Sequence, residues 1–307
     1  DDQIQLPSSP RVVEVSADAS VLEDGSIVEA VTAQMFAQGL LALAGVATLG
    51  EAWLQVLPDW QAGQAISLKA NALNQDVPTS PQILKAISDS LQADFAVARA
   101  DIFVWDRTLR ELQRAGITPE YMGVDCRGTA FSATDDSGPG YEPECVCLTN
   151  RKVRMSTLLT QQSRHLINVA VLKNHFAAKF TGCLKNHYGS FANPYDFHSD
   201  IDQHIANLNT IQPIPTISRL HVIDALKGVC LGDTDKSSDC IPKRLLLSFD
   251  PVAIDTRGQE IRNDMRQQKA VESGQTIEPV ASAAYLEMAA QMGLGSMSYE
   301  LVEISVT

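Results

Sequence analysis

Residues 165–191 read HLINVAVLKNHFAAKFTGCLKNHYGSF. The opening run, His165 to Lys173, is apolar almost throughout and lacks the polar alternation of a half-exposed strand. Such a run is expected of a strand buried on both faces, the kind found in parallel sheets covered by helices. It empties into Lys173, Asn174 and His175, and the tetrapeptide Leu-Lys-Asn-His recurs twelve residues on as Leu184 to His187. Two lysines, two asparagines and two histidines in matched order are either an accident of surface chemistry or cations and proton carriers gathered around a ligand.

Outward from this stretch, strand-like and helix-like runs alternate. RVVEV near the start and AISLKAN from Ala65 are strands, with a helically spaced apolar segment from about Ile27 to Ala47 between them. In TSPQILKAISDSLQ, Ser80 is placed to cap a helix and Pro81 to occupy its first position, and Ile83, Leu84, Ile87 and Leu91 follow the helical period. DIFVW is a strand ending near Trp105, followed by a helix that stops at Gly116, and YMGVDC is the next strand. RLHVIDALKG and RLLLSFD supply two more, the second feeding a helix that starts at Pro251. EPVASAAYLEMAAQMGLG closes with a helix stopped at Gly293, and YELVEISV is a last strand. The predicted fold is α/β: a largely parallel sheet with helices on both faces, in one domain over residues 1–307, with a loop-rich insertion at about 126–150.

Composition narrows the function classes. With 307 residues, 45% hydrophobic and 20% charged, the chain is that of a globular protein with a sizeable core. A formal net charge of −13 argues against nucleic acid as a partner, because phosphate contacts need a basic face. The apolar run MFAQGLLALAGVATLG is too short and too glycine-broken to span a bilayer. The chain opens at Asp1, which is the expectation for a processed N-terminus. Of the six cysteines, Cys230 and Cys240 bracket a polar loop that a disulfide can close, and Cys126 can pair with Cys145 or Cys147. Loop-flanking cysteines in even number favour an oxidising compartment, periplasmic or extracellular. The closely spaced cysteine run of an iron–sulfur site is absent, so no such cluster is expected.

In open α/β sheets, ligands sit beyond the carboxyl ends of the strands. The strand at Ala65 runs into Lys69 and Asn71, DIFVW into Asp106 and Arg107, and INVAVL into Lys173 and His175. LHVI runs into Asp224 and LLLSF into Asp250. If these strands are parallel neighbours, the residues share one crevice. Lys69, Asn71, Arg107, Asn186 and Asp250 are the candidate ligand-binding residues. Lys173, His175, Lys185 and His187 are candidates for proton transfer and charge stabilisation, with Asp106 and Asp224 orienting them. Asp106 and Asp250 also fit the plainer role of helix N-caps. HSDIDQH places His198 and His204 as candidate ligands for a divalent metal, without the His-x-x-x-His spacing of a helical zinc site. No Gly-x-Ser-x-Gly, phosphate-loop or dinucleotide fingerprint is present.

ISLKANAL with PTSPQILKAISDSL, IFVWDRTLRELQRAGI, the 165–191 stretch, LHVIDALKG and SFDPVAIDTRGQEI, in this order and spacing, resemble the family catalogued as domain of unknown function 362. The resemblance implies the α/β fold and the Lys/Asn/His site, but no reaction. Members with a long N-terminal helix before the Lys-x-Asn strand often carry a twin-arginine export signal, which implies export here. Many members carry a ferredoxin-like cysteine module that this chain lacks. The leading expectation is an exported protein that binds a small anionic ligand in a Lys/His crevice, with proton transfer as its chemistry and His175 or Lys173 as the base. The alternatives are a non-catalytic component of an exported assembly that binds a protein partner, and a metal-dependent enzyme using the His/Asp cluster.

Overall fold

The computed structural model describes residues 9–274, 276–278 and 280–307; the processing expected at Asp1 lies outside them. The first half holds β1 (Arg11–Ser16), α1 (Glu29–Ala44), α2 (Leu49–Val56), β2 (Ile66–Lys69), α3 (Pro81–Asp94), β3 (Ile102–Thr108), α4 (Leu109–Arg114), α5 (Pro119–Met122) and β4 (Asp125–Ala130). After the small hairpin β5 (Val146–Leu148) and β6 (Arg151–Val153) come β7 (His165–His175), β8 (Lys179–Thr181), α6 (Cys183–Asn186), α7 (Ile201–Leu208) and α8 (Ile214–Ile217). The chain closes with β9 (Ser218–Val229), β10 (Arg244–Ser248), α9 (Pro251–Ser273), α10 (Ala284–Gln291) and β11 (Glu300–Ser305).

One sheet runs in the order β11-β1-β10-β9-β7-β2-β3-β4, with β8 paired to β7. The block β9-β7-β2-β3-β4 is parallel throughout, and β1 pairs parallel with β11. Strand β10 runs antiparallel to both of its neighbours. The mixed, mostly parallel α/β fold is therefore the one the apolar runs predicted.

Alternation along the strands builds two cores. Ile66, Leu68, Ile102, Val104, Ile167, Val169, Leu245 and Leu247 pack to one side with α1, α2 and α3. Phe103, Trp105, Leu166, Ala170, Leu172 and Leu246 pack to the other with α7, α9 and α10. Every residue of β7 from His165 to Lys173 is buried, because a central strand under two helical layers has no solvent face. No single helix among the described residues is long and apolar enough to cross a membrane; α1 and α2 together pass only as a pair bent by 62°.

Several local expectations change. Strand β3 runs on through Asp106 and Arg107 to Thr108, so Thr108 and not Asp106 caps α4. β7 continues past Lys173 to His175 and turns back through β8. β9 continues through Asp224 to Val229, leaving Asp224 in the middle of a strand. Residues 125–130 are β4, and the turns begin after it. Cys230 and Cys240 are bonded, closing the polar loop. The expected Cys126 pairing does not form: Cys126 is a buried thiol, whereas Cys145 and Cys147 are exposed and free.

Candidate functional site

Three adjacent parallel strands, β7, β2 and β3, end on the same rim and set the polar residues side by side. Lys69 ends β2, is fully buried and donates to the Asp106 carboxylate of β3 at 2.6 Å. Asp106 also accepts the backbone N–H of Ala72 at 2.6 Å and of Arg107 at 2.7 Å, so both of its oxygens are engaged. Next to this pair, Lys173 of β7 donates to Asn71 Oδ1 at 2.9 Å. The Asn71 amide donates to Asn186 Oδ1 at 3.2 Å, and Asn186 donates to Asn168 Oδ1 at 2.8 Å. Asn168 donates in turn to the carbonyl of Cys183. A buried amide chain of this kind fixes each side chain it includes, since every broken link leaves a polar group unpaired.

The second Leu-Lys-Asn-His lies on α6 and the turn after it. The cap that fastens α6 comes from α9: Asp255 accepts the N–H groups of Cys183 at 2.6 Å and Leu184 at 3.0 Å. Gly182 is required here, because a Cβ would lie 2.3 Å from Asp255 Oδ1. Gly189 is required in the same way: its Cβ would fall 2.7 Å from Asp106 Oδ1 and 2.8 Å from Lys69 Nζ. Asp255 lies in the segment SFDPVAIDTR, where no motif or spacing marks it as a cap for a distant helix.

Above this framework lies a cavity of about 120 Å³, lined by Asn71, Asp106, Arg107, His175, Lys185 and Asn186, together with Thr181, Tyr188, Tyr195 and His198. At ~10–15 Å³ for each water-sized sphere, it has room for a small organic anion. Charges along its wall cancel in pairs, with one exception. Arg107 is paired with Glu111, and Asp106 with Lys69. Lys185 has no ion pair among the described residues; its Nζ stands 4.8 Å from the centre of the Tyr188 ring. Burial pushes Lys185 down to about 8, with Asp233 opposing. Lys173 is held near 7, by burial first, with Asp106 and Asp224 opposing and Lys185 adding to the depression. The Thr181 hydroxyl on the same wall is buried with no partner among the described residues.

The remaining sequence candidates fall elsewhere or change role. Lys69 and Lys173 lie beneath the cavity, both fully buried. His187 is fully buried; its ring lies 3.1 Å from Ser190 Oγ and 3.5 Å from the Asn168 amide, and burial drives it down to about 3. Asp224 receives the N–H groups of Ser80 and Leu226, which anchors the start of α3 and occupies the carboxylate away from the cavity. Asp250 caps α9 through the N–H groups of Val252 and Ala253. Because β10 is antiparallel to β9, Asp250 sits at the opposite rim. His204 is buried against Phe197, apart from the cavity wall that His198 joins. Among the described residues these two histidines enter no group of three metal-ligating side chains; the group that does form is Cys230, Asp239 and Cys240, whose cysteines are bonded to each other.

His175 cannot serve as the base expected of it. Its Nδ1 accepts the N–H groups of Ala177 at 3.2 Å and Ala178 at 3.1 Å, so the proton of the neutral ring resides on Nε2. Burial, with Lys185 next, holds the ring down to about 3 and therefore neutral. It is a fixed donor.

No curated protein matches the chain. A solved structure that it resembles is the crystal structure of a Thermotoga maritima protein from a structural genomics programme, with 9% sequence identity and a TM-score of 0.45. The alignment covers 78% of this chain, which spans 59% of that one. Residues 66–260, more than half of the sequence and the part that carries the cavity from Asn71 to Thr234, match the family described as Domain of unknown function (DUF362), and to that family this chain belongs.

Proposed function

We propose that the cavity binds a small anion, a carboxylate or phosphate, with Lys185 as its cationic anchor, and that the site moves a proton beside the bound charge. The observation that carries this reading is the buried ammonium of Lys185, which has no ion-pair partner among the described residues, in a wall whose other charges are paired. An ammonium largely withdrawn from water gains most from an anion brought into the same low-dielectric space. The Nε2–H of His175 adds a neutral donor to that wall. The buried Lys69–Asp106 pair and the asparagine chain serve as the rigid floor that preorganised electrostatics requires. A purely structural component would be expected to fill this rim with its own side chains; the open cavity favours a ligand. The cross-link between Cys230 and Cys240 supports delivery to an oxidising compartment.

The test is calorimetric titration of acetate and of inorganic phosphate into wild-type protein and Lys185→Met. Binding of at least one anion is expected, weakened tenfold or more in the variant, with the melting temperature retained or raised because a buried charge is removed. Equal affinity in the two proteins would overturn the reading.

A further inference from the structure

The two imidazoles on the cavity wall are held in opposite tautomers by the backbone. His198 Nδ1 lies 3.2 Å from the carbonyl oxygen of Tyr195. A carbonyl only accepts, so Nδ1 bears the proton and Nε2 carries the lone pair. His175 is the reverse, because two N–H groups occupy its Nδ1. The rings are stacked with centroids 5.6 Å apart and 26° between planes. Tyr195 also stacks with His198, at 6.0 Å and 15°, and the Arg107 guanidinium lies 5.5 Å from the centre of the Tyr195 ring. The stack holds both histidines in place, and each lines the cavity that contains Lys185.

From this geometry we infer that His198 Nε2 is the hydrogen-bond acceptor of the site, that His175 Nε2–H is its fixed donor, and that the ligand is a small carboxylate bearing a hydroxyl next to its charged group. The inference rests on the anion-binding reading. It adds the polarity of the two ring nitrogens, which anion binding alone does not need.

The ligand hydroxyl donates its hydrogen to the His198 Nε2 lone pair, and no bond has to break for the site to discriminate. The carboxylate beside it then faces the Lys185 ammonium and the His175 Nε2–H. Several charged and titratable groups surround the pair: Lys185 and Tyr188 from α6 and the turn after it, Lys179 from β8, Asp233 from the disulfide loop, and Arg107 with Glu111 behind Tyr195. Burial first, and then Lys185, keeps His198 below its ordinary value, so its lone pair is free at neutral pH.

The experiment uses the full chain with two probes that differ only in one hydroxyl, glycolate and acetate, titrated into wild type, His198→Gln and Lys185→Met. Wild type is expected to prefer glycolate by about tenfold, the worth of one good buried hydrogen bond. His198→Gln should bind acetate within threefold of wild type and lose most of the glycolate preference. Nitrogen-15 spectra of the histidine rings, assigned with His175→Gln and His198→Gln, should show Nε2–H on His175 and Nδ1–H on His198. If acetate binds through Lys185 but glycolate has no advantage, or if His198 carries its proton on Nε2, the acceptor role falls and the anion site stands. If neither probe binds wild type, the hydroxy-carboxylate assignment falls, and if inorganic phosphate does not bind either, the anion-binding reading falls with it.

Discussion

The Asp255 carboxylate, on the long helix α9, receives the N–H of Cys183 at 2.6 Å, across 72 positions of sequence. This bond and its companion to Leu184 N–H fix the first turn of α6, and α6 sets Lys185 and Asn186 on the cavity wall. Replacing Asp255 with Ala strands two buried N–H groups, each costing about 1–3 kcal/mol. Lys185-dependent anion binding should weaken along with stability. Denaturant unfolding and calorimetry on the same protein check both.

Asp255 carries a pH signature, in the same direction as the buried Asp224 and Asp250. Burial raises it from 3.8 to about 7, against the pull of the Leu184 and Cys183 N–H groups. A carboxyl raised in the folded state contributes stability that is complete below 3.8 and is lost as pH rises through about 7. Asp255→Asn, which cannot ionise, should flatten that window relative to wild type. Urea midpoints at half-unit steps between pH 4 and 7.5 give the difference; an unchanged slope would contradict the burial argument.

Lys173 carries the opposite sign. Its nitrogen is depressed from 10.5 to about 7, so the folded state releases a proton that the unfolded chain holds until 10.5. Stability from this group is present above 10.5 and is lost as pH falls through about 7. Wild type should therefore gain stability between pH 7 and 10 relative to Lys173→Met. Because Lys173 lies beneath the cavity, this variant should weaken anion binding less than Lys185→Met does.

The ion pair under the cavity predicts a strongly non-additive cycle. Lys69→Met leaves the Asp106 carboxylate buried without its cation, which costs ~3–5 kcal/mol. Adding Asp106→Asn removes the stranded charge and keeps an acceptor for one of the N–H groups of Ala72 and Arg107, so the double variant should regain much of the loss. A double variant no better than Lys69→Met would show that the pair is not coupled as its 2.6 Å contact implies.

The residues themselves show which parts of this picture were legible in sequence. The β7 run announced a central strand because burial on two faces erases alternation, and Lys69, Asn71, Asp106, Arg107 and Lys173 followed from strands that end on one rim. Strand direction is not written in an apolar run, so the antiparallel turn of β10 put Asp250 at the far rim unannounced. Asp224 looked like a strand end because a charge interrupts LHVIDAL, yet the N–H groups of Ser80 and Leu226 let β9 carry a buried carboxylate through. Asp255 resembled any polar residue on an amphipathic helix; its partner is set by tertiary packing alone. The histidine tautomers depend on turn geometry at Tyr195 and Ala177, which no spacing rule encodes.

The disulfide loop forms part of the cavity wall, and this gives it a testable role. Thr234 lines the cavity, and Asn74 Nδ2 ties the loop down through the carbonyls of Thr234 at 2.8 Å and Lys236 at 2.7 Å. Asp233 accepts the N–H of Phe176 at 2.8 Å, just after His175, and Asp239 receives three N–H groups, from Cys230, Leu231 and Gly232. Closing a loop of ten residues' separation is worth about 3 kcal/mol by the chain-entropy estimate. The Cys230→Ser/Cys240→Ser protein should lose stability on that scale, and so should wild type under a strong thiol reductant. Because Asp239 and Asn74 still hold the loop when the bond is gone, the cavity should persist and anion affinity should fall only a few-fold. Loss of binding on the scale of Lys185→Met would instead mean that the cross-link, rather than these hydrogen bonds, shapes the wall.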